Sequence, residues 1–333
     1  MNLSVHYPPH IRTRDSSLGM MFDAIVAMLP LYGMSTYFYG PRCLVLALIS
    51  VISCLASDYI CSVMMGKGIS IRDISPVVTG LIIPLLLPAS AGYHMVITAG
   101  LFAILVVKQP FGGLGQNIFN PAAGGIAFVT VCWPTAMFSY PRPFITLPLT
   151  PVVDTALERS IAYSLSLGGL PTADYLDMAL GNVPGPMGTT HILVLFACMF
   201  YLWVRRGVKI GVTGGFILGA AVFALLFPRG ALSPFQSVAY ELMSGSLLFA
   251  AIFLMSDPVT SPKRPIARTL YGVAGGALCM FFRHLGRLEE SVIFGILIMN
   301  AFVWLLDTRV ERIYHRYRRE GREQDKPEEV PEA

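Results

Sequence analysis

The sequence predicts an all-α polytopic membrane protein, and three observations support this fold class. Of its 333 residues, 54% are hydrophobic and only 13% are charged, whereas soluble domains carry roughly 25% charged residues. The apolar residues fall in runs close to the ~20 residues that a helix needs to cross a bilayer. Basic residues are distributed unevenly among the connecting segments. These features argue against a soluble enzyme and indicate no nucleic-acid partner.

Five apolar runs precede a long polar segment and five follow it, which predicts ten transmembrane helices. The first five runs cover residues 20–38, 43–64, 74–87, 95–107 and about 118–137. The second five cover residues 191–204, 210–227, 236–255, 265–282 and 291–306. Because Pro76, Gly80 and Pro84 interrupt the third run, we expect a broken helix there.

The runs divide the chain into five segments. These are a polar N-terminal segment (1–19), a first five-helix half (20–137), a polar segment (138–189), a second five-helix half (190–306) and a charged tail (307–333). The first segment lacks the apolar core of a cleavable signal peptide. Insertion is therefore expected to begin with the first transmembrane helix.

The distribution of basic residues predicts the orientation. With both termini in the cytoplasm, 18 of the 24 lysines and arginines lie on the cytoplasmic side, as the positive-inside rule requires. The polar segment 138–189 then faces outward. We expect a multi-pass protein of the cytoplasmic (inner) membrane of a bacterium or archaeon, surrounded by lipid.

An odd number of helices in each half predicts that the halves have opposite orientations. This is the arrangement of an inverted repeat, in which binding sites lie at broken helices near the membrane midplane. Residues 75–80 and 256–262 are similar stretches of Ser, Pro, Val and Thr at corresponding places in the two halves. Such a short similarity also arises by chance, so internal duplication stays open at this point.

The glycine-rich stretch 108–123 is the densest polar run at membrane depth. Irregular backbone at that depth survives only where protein or a cavity satisfies its polar groups. The amides of Gln116, Asn117 and Asn120 are able to read the edge of a flavin ring. The alternative is an ordinary re-entrant loop whose amides cap the fifth helix. Asn-Pro-Ala at 120–122 also occurs in water channels, which carry it twice, whereas this chain has it once.

Residues 181–191 close the polar segment and place two hydroxyls, Thr189 and Thr190, beside Gly188. From the residues alone, this stretch is a Gly/Pro loop with a threonine capping the next helix.

Several ionisable residues fall in or near the apolar runs. Asp23 is expected to pair with Arg12 or Arg14, to reach the surface or to belong to an ion path, while Asp257 is expected to cap the turn before Pro258. The six cysteines form no C-x-x-C pair, and no iron–sulfur or zinc signature is present. A redox role would therefore need an organic cofactor.

Four stretches, residues 77–81, 112–122, 255–262 and 290–301, resemble the D-subunit family of Rnf-type ion-translocating electron transport complexes. A close cousin of that family is the B subunit of sodium-translocating NADH:quinone reductases. The resemblance covers the chain from the first run to the tenth. It implies a fold similar to urea and ammonium channels, with ten helices in two inverted halves.

The resemblance also implies a function. The chain would be one component of a translocase, an ion-translocating ferredoxin:NAD oxidoreductase, that is not active alone and that couples electron transfer to Na⁺ or H⁺ transport. Its partners would be the A, B, C, E and G subunits of the Rnf complex, and the cytoplasmic partners would carry the iron–sulfur clusters.

The resemblance further implies two flavins. The family joins FMN through a phosphoester to the threonine of a small-Gly-x-Thr motif at the outer face. Residues 187–190 match this motif, which predicts Thr190 as the attachment point with Gly188 and His191 beside it. Met187 departs from the small residue of the motif, and Thr189 remains the competing site. Non-covalent riboflavin is expected near the following residues: Thr79, Gly113, Gln116, Asn117, Asn120 and Thr260.

Two alternative functions remain at this point. One is a passive channel or solute transporter with the same bundle, and the other is the B subunit of a sodium-translocating quinone reductase. Covalent flavin would separate the electron-transfer functions from the channel, since it makes the chain fluorescent on a denaturing gel.

Overall fold

In this computed structural model, residues 17–66, 73–150, 157–169, 171, 173–229, 232–285 and 291–324 are described, with the backbone alone for 315–324. The chain is mostly helical. The helices of the first half are α1 (Ser17–Tyr39), α2 (Arg42–Met64), α3 (Ser75–Leu85), α4 (Tyr93–Phe102) with a π-helical turn (Ala103–Lys108) and a 3₁₀ turn (Gln109–Phe111), and α5 (Pro121–Cys132). The first half ends with the short helix α6 (Pro134–Met137), and the polar segment contains α7 (Ile161–Ser166) and α8 (Tyr175–Leu180).

The second half resumes with α9 (Ile192–Val204) and α10 (Ile210–Leu226). It continues with α11 (Pro234–Met243), α12 (Leu247–Phe249), a second π-helical turn (Ala250–Leu254), α13 (Pro265–Leu285) and α14 (Val292–Gln324). Each of the ten predicted apolar runs therefore contains helix.

The described helices confirm a polytopic membrane protein. Five are long and apolar enough to cross a bilayer, and a sixth crossing arises if the bent pair Pro234–Met243 and Leu247–Leu254 is one span. The other four apolar helices, α3, α5, α9 and α10, have only 10–17 residues. The ten-span count and the inverted relation of the two halves therefore stay predictions.

Three predicted spans differ from the observed helices. The third was predicted to be broken at Pro76, Gly80 and Pro84, but α3 is continuous, because Pro76 lies in its first turn, where its missing N–H has no partner to lose. The predicted eighth span, 236–255, is bent by 67° between α11 and α12, because Gly245 adopts a left-handed conformation (φ 66°) that ends α11. The predicted fifth span, 118–137, breaks at Trp133 and Pro134 into α5 and α6. Proline removes an intrahelical hydrogen bond and marks this break.

The tightest helix contact joins α10 to α13. A Cβ atom added at Gly219 would lie 2.1 Å from the Val273 carbonyl oxygen, and one added at Gly276 would lie 2.0 Å from the Phe216 carbonyl oxygen. Small residues let helix backbones approach this closely, and packing of this kind holds helices together in lipid.

The described parts of the polar segment (138–150, 157–169, 171 and 173–189) lie at one end of the bundle. Strands β1 (Tyr140–Pro141) and β2 (Leu157–Glu158) pair antiparallel, with Tyr140 opposite Glu158. Arg42 at the start of α2 is 1% exposed and donates to the carbonyls of Pro148 and Thr150, so it fixes the segment to the helices.

Candidate functional site

The loop before α9 is fixed to the helices of the first half. The Gly188 amide donates to the Leu85 carbonyl at 2.8 Å, and the Met187 amide donates to the Leu87 carbonyl at 3.0 Å. The Ser35 hydroxyl of α1 lies 2.8 Å from the Met187 carbonyl oxygen. The loop that carries the two candidate threonines is thus held by α1 and by the end of α3.

The two candidate threonines differ in their environments. Thr189 is fully buried, and its hydroxyl lies 3.4 Å from the Pro186 carbonyl oxygen. Thr190 is 5% exposed, and its buried hydroxyl makes no hydrogen bond to any described residue. An unpartnered buried hydroxyl costs free energy. The two hydroxyls therefore differ in that only Thr190 has no partner among the described residues.

Glycines surround Thr190 closely. A Cβ atom at Gly185 would lie 2.6 Å from Cγ2 of Thr190, and one at Gly188 would lie 2.6 Å from Cβ of Leu85. Gly181 adopts φ 87°, and a Cβ there would meet Nδ1 of His191 at 2.4 Å. Glycine thus occupies two positions, 185 and 181, where the backbone packs against Thr190 and His191, and a third, 188, where it packs against Leu85.

His191 and the end of α1 form an aromatic contact beside Thr190. The His191 ring stacks on the Phe38 ring with centroids 4.8 Å apart and planes inclined by 27°. His191 is 1% exposed. The predicted site residues Gly188, Thr189, Thr190 and His191 therefore lie together in one buried cluster.

A cavity of about 470 Å³ lies at the other end of α1 and α9. Ser17 and Met20 of α1 and Leu202 of α9 line it, together with residues of α3 and of the segments 114–122 and 252–259. Its polar lining residues are Ser17, Ser75, Thr79, Lys108, Asn117, Asn120, Ser256 and Asp257. Its volume and its mainly apolar walls suit a small organic molecule.

Three of the predicted riboflavin contacts, Thr79, Asn117 and Asn120, line this cavity. The other three lie elsewhere among the described residues. Gln116 is exposed, and Gly113 (φ 95°) supports the turn of the glycine-rich loop outside the lining. Thr260 is buried and donates to Oδ2 of Asp257 at 3.2 Å, one layer behind the cavity wall.

The prediction missed Ser75, Lys108 and Asp257 as lining residues. The Ser75 hydroxyl is buried and has no hydrogen-bond partner among the described residues. The signal for it was available, because Ser75 begins the first Ser/Pro/Val/Thr stretch. The two such stretches and the glycine-rich loop meet at one cavity.

Asn120 joins the glycine-rich loop to the second half. Its Oδ1 accepts from the Ala123 amide at 3.2 Å and caps α5, while its Nδ2 lies 3.4 Å from Oδ2 of Asp257. Oδ1 of Asp257 accepts from the Val259 amide at 3.2 Å. The predicted capping role of Asp257 is confirmed, and the cap also forms part of the cavity wall.

The ionisable residues near this end of the bundle are paired. Nζ of Lys108 lies 3.0 Å from Asp58 and 3.3 Å from Asp73. Asp23 pairs at 3.0 Å with Arg205, the residue that follows α9, whereas its predicted partners Arg12 and Arg14 lie outside the described residues. Each pairing joins segments that are distant in sequence.

The short helix α3 connects the two sites. Ser75, Thr79 and Ile82 line the cavity, and Leu85, at the end of the helix, accepts the hydrogen bond from Gly188. Only one helical turn therefore separates Ile82, which lines the cavity, from Leu85, which binds the loop that carries Thr189 and Thr190.

These helices and their cavity define a polytopic helical membrane protein with an internal site of small-molecule size. The family model described as "NQR2, RnfD, RnfE family" matches residues 4–315. The chain belongs to this family.

Three relatives have names that describe their complexes. The chain is 32% identical to the D subunit of the Na⁺-translocating ferredoxin:NAD⁺ oxidoreductase complex of Acetobacterium woodii, over 94% of this chain and 96% of the relative. It is 29% identical to the D subunit of the proton-translocating ferredoxin:NAD⁺ oxidoreductase complex of Clostridium ljungdahlii, over 90% of this chain and 92% of the relative. It is also 29% identical to the D subunit of the ion-translocating oxidoreductase complex of Shewanella amazonensis, over 92% of this chain and 96% of the relative.

Proposed function

We propose that this chain is the D subunit of an ion-translocating ferredoxin:NAD oxidoreductase complex and transfers electrons across part of the membrane. The similarity to the Acetobacterium woodii protein, which covers 94% of this chain, carries the proposal. All three relatives described above are named as subunits of oxidoreductase complexes, which favours this function over a passive channel. Their names specify the D subunit, which favours it over the quinone-reductase component.

The chain would carry FMN through a phosphoester to Thr190. The orphaned hydroxyl of Thr190 supports this position, because attachment replaces an unpartnered buried group by an ester oxygen. Thr189 is less suitable because it is fully buried and its hydroxyl is placed toward the Pro186 carbonyl.

The residues around Thr190 fit a phosphate. The first amides of α9 have no partners within the helix and favour a negative charge near residue 190. Gly185 packs directly against Thr190 and Gly188 against Leu85, so a side chain at either position would crowd the loop further. When bound, the isoalloxazine ring supplies the one- and two-electron chemistry, and the protein provides position and electrostatics.

The cavity at the far end of α3 is proposed to hold a second, non-covalent flavin, riboflavin. The orphaned hydroxyl of Ser75 offers a hydrogen bond to a ligand, and Thr79 lies one turn further along the same helix wall. The walls of Met20, Met21 and Ile82 would exclude water from the faces of a planar ring. The two flavins would then lie at opposite ends of α3.

The complex is proposed to lie in the cytoplasmic membrane, with ten crossings of this chain, both termini in the cytoplasm and the A, B, C, E and G subunits as partners. The proposal includes ion transport, with either Na⁺ or H⁺ as the transported ion. The relatives at 32% and 29% identity are named for Na⁺ and for protons, respectively.

Two measurements test the proposal. The full chain, co-expressed with a flavin transferase, should give a fluorescent band on a denaturing gel and a peptide with FMN mass at Thr190. Thr190→Val should remove the band, and Thr189→Val should keep it. A band lost only in Thr189→Val would move the site by one residue, and a colourless wild-type chain would refute covalent flavin.

The second measurement concerns the complex. Membrane vesicles from cells lacking this chain should lose ferredoxin-dependent NAD reduction, and the wild-type chain should restore it. Thr190→Val should assemble but fail to restore the activity. Full activity in vesicles lacking the chain would contradict the proposed function.

A further inference from the structure

Three aromatic side chains form a cluster beside the threonine loop, here called the aromatic platform: Tyr37, Phe38 and Phe144. The ring centroids of Phe38 and Phe144 are 4.4 Å apart, and that of Tyr37 lies 5.7 Å from Phe38 and 5.9 Å from Phe144. Phe38 is buried, whereas Tyr37 is 71% exposed and Phe144 is 58% exposed. The platform thus has a buried base and two exposed rings.

Phe144 is held in an unfavourable backbone conformation. Its φ of 64° lies in the left-handed region, which bulky residues rarely adopt. Three residues further on, the Leu147 amide donates to the Tyr39 carbonyl at 3.0 Å, so this part of the loop is fastened to the end of α1. The exposed ring buries too little surface to explain this conformation through packing. A strained residue of this kind points to a functional role.

The platform is continuous with the flavin attachment site. The buried ring of Phe38 stacks on His191 with centroids 4.8 Å apart. His191 directly follows Thr190, and adjacent Cα atoms are ~3.8 Å apart. The exposed rings therefore lie about two ring contacts from Thr190, which is within reach of a ribityl phosphate chain.

We propose that the aromatic platform is the stacking surface for the isoalloxazine ring of the flavin joined to Thr190. This inference rests on the proposed function. An aromatic pair prefers a stacked or edge-to-face arrangement, which the exposed faces of Tyr37 and Phe144 offer to a planar ring. The stack fixes the tethered ring in position and removes water from one of its faces.

Exposed aromatic residues at the end of a transmembrane helix also serve as anchors at the membrane–water interface. A platform of that kind would affect the stability of the chain and leave the flavin unchanged. An interface with a partner protein would instead affect assembly of the complex. Both possibilities are outcomes of the experiment below.

The experiment uses the full chain with its flavin and three variants. Phe144→Gly removes the ring and suits the left-handed backbone, so the variant is expected to fold. Tyr37→Leu removes the second exposed ring. Phe235→Ala is the matched control, because Phe235 is 82% exposed and makes no ring contact among the described residues. The Thr190→Val chain gives the background from any non-covalent flavin.

Three quantities are measured for each variant: the FMN-bearing fraction by mass spectrometry, native flavin fluorescence and its quenching by iodide. We expect the FMN-bearing fraction to stay at the wild-type level. Fluorescence and the iodide quenching constant should rise at least about twofold in Phe144→Gly and Tyr37→Leu, since a stacked ring contact is lost. Both should stay unchanged in Phe235→Ala.

The outcomes separate the two proposals. A wild-type chain without FMN at residue 190 refutes the covalent flavin. A flavin-bearing chain whose fluorescence and quenching are unchanged in both platform variants overturns the stacking surface alone. In that case, a lower melting temperature would assign the rings to the membrane interface, and a lower yield of assembled complex would assign them to a partner.

Discussion

Phe38 and His191 stack with ring centroids 4.8 Å apart although 153 positions separate them in the sequence. The contact joins the end of α1 to the beginning of α9 and holds the residue that follows Thr190. His191 is thereby fixed by a neighbour from the first half of the chain. The proposed attachment site is therefore formed by both halves.

Gly185→Ala is expected to lower FMN attachment. The added Cβ would lie 2.6 Å from Cγ2 of Thr190 and would displace that side chain. Since small misplacements of reacting groups are costly, we expect the FMN-bearing fraction formed in a fixed time to fall roughly tenfold or more. Gel fluorescence, normalised to the amount of protein, measures this FMN-bearing fraction. Gly214→Ala is the control, because its nearest neighbour is 3.8 Å away, and equal labelling of both variants would contradict the prediction.

Two substitutions at Asn120 should separate helix capping from cavity binding. Asn120→Ala should lower the free energy of unfolding by about 1 kcal/mol through loss of the α5 cap, whereas Asn120→Ser should retain most of that stability. Both variants lose the amide that faces Asp257. We therefore expect less non-covalent flavin to co-purify with either variant. Wild-type flavin content in Asn120→Ala would contradict the assignment of the cavity.

Glu241→Gln should strongly destabilise the chain. Glu241 is fully buried between Arg283 at 2.9 Å and Arg229 at 3.4 Å. Removing its charge takes a buried carboxylate away from two buried arginines, which costs about 3–5 kcal/mol of unfolding free energy. The exposed pair Arg264–Glu311 provides the control, because Glu311→Gln should change stability by less than about 1 kcal/mol. Denaturant titration in detergent measures the unfolding free energy of both variants. Similar losses of stability in Glu241→Gln and Glu311→Gln would disprove the prediction.

Gly276→Ala should loosen the contact of α10 with α13. The added Cβ would lie 2.0 Å from the Phe216 carbonyl oxygen, which is backbone and has no room to move. We expect a loss of about 1–3 kcal/mol, as in other overpacked sites. At Gly33 nothing lies within 4 Å of an added Cβ, so Gly33→Ala should be neutral or stabilising by up to about 1 kcal/mol. Comparable melting temperatures for the two variants would contradict the prediction.

The apolar runs were predictable from sequence because local composition decides whether a segment enters lipid. Each predicted run contains a helix, but the predicted break in the third run is wrong, because its prolines lie in the first and last turns of α3, where a helix tolerates them better than in its middle. The bend at Gly245 was not predictable, since a single glycine within an apolar run is also tolerated in a straight helix. Its left-handed conformation depends on the packing around it.

The candidate site was predictable in part. Asn117, Asn120 and Thr79 were identified because polar residues at membrane depth need partners, and all three line the cavity. Gln116 has the same chemistry but points away, since the direction of a side chain in an irregular loop depends on its φ and ψ angles. The pairing of Lys108 with Asp58 spans 50 positions, and no local pattern indicates it.

The length of α3 has a consequence for membrane voltage. Its 11 residues span about 16 Å, roughly half of the hydrocarbon thickness. Flavins held at the two ends of α3, as proposed, would make an electron that passes between them cross part of the membrane potential. Since moving one charge through the whole potential is worth about 2.3 kcal/mol per 100 mV, this electron transfer would respond to the membrane voltage.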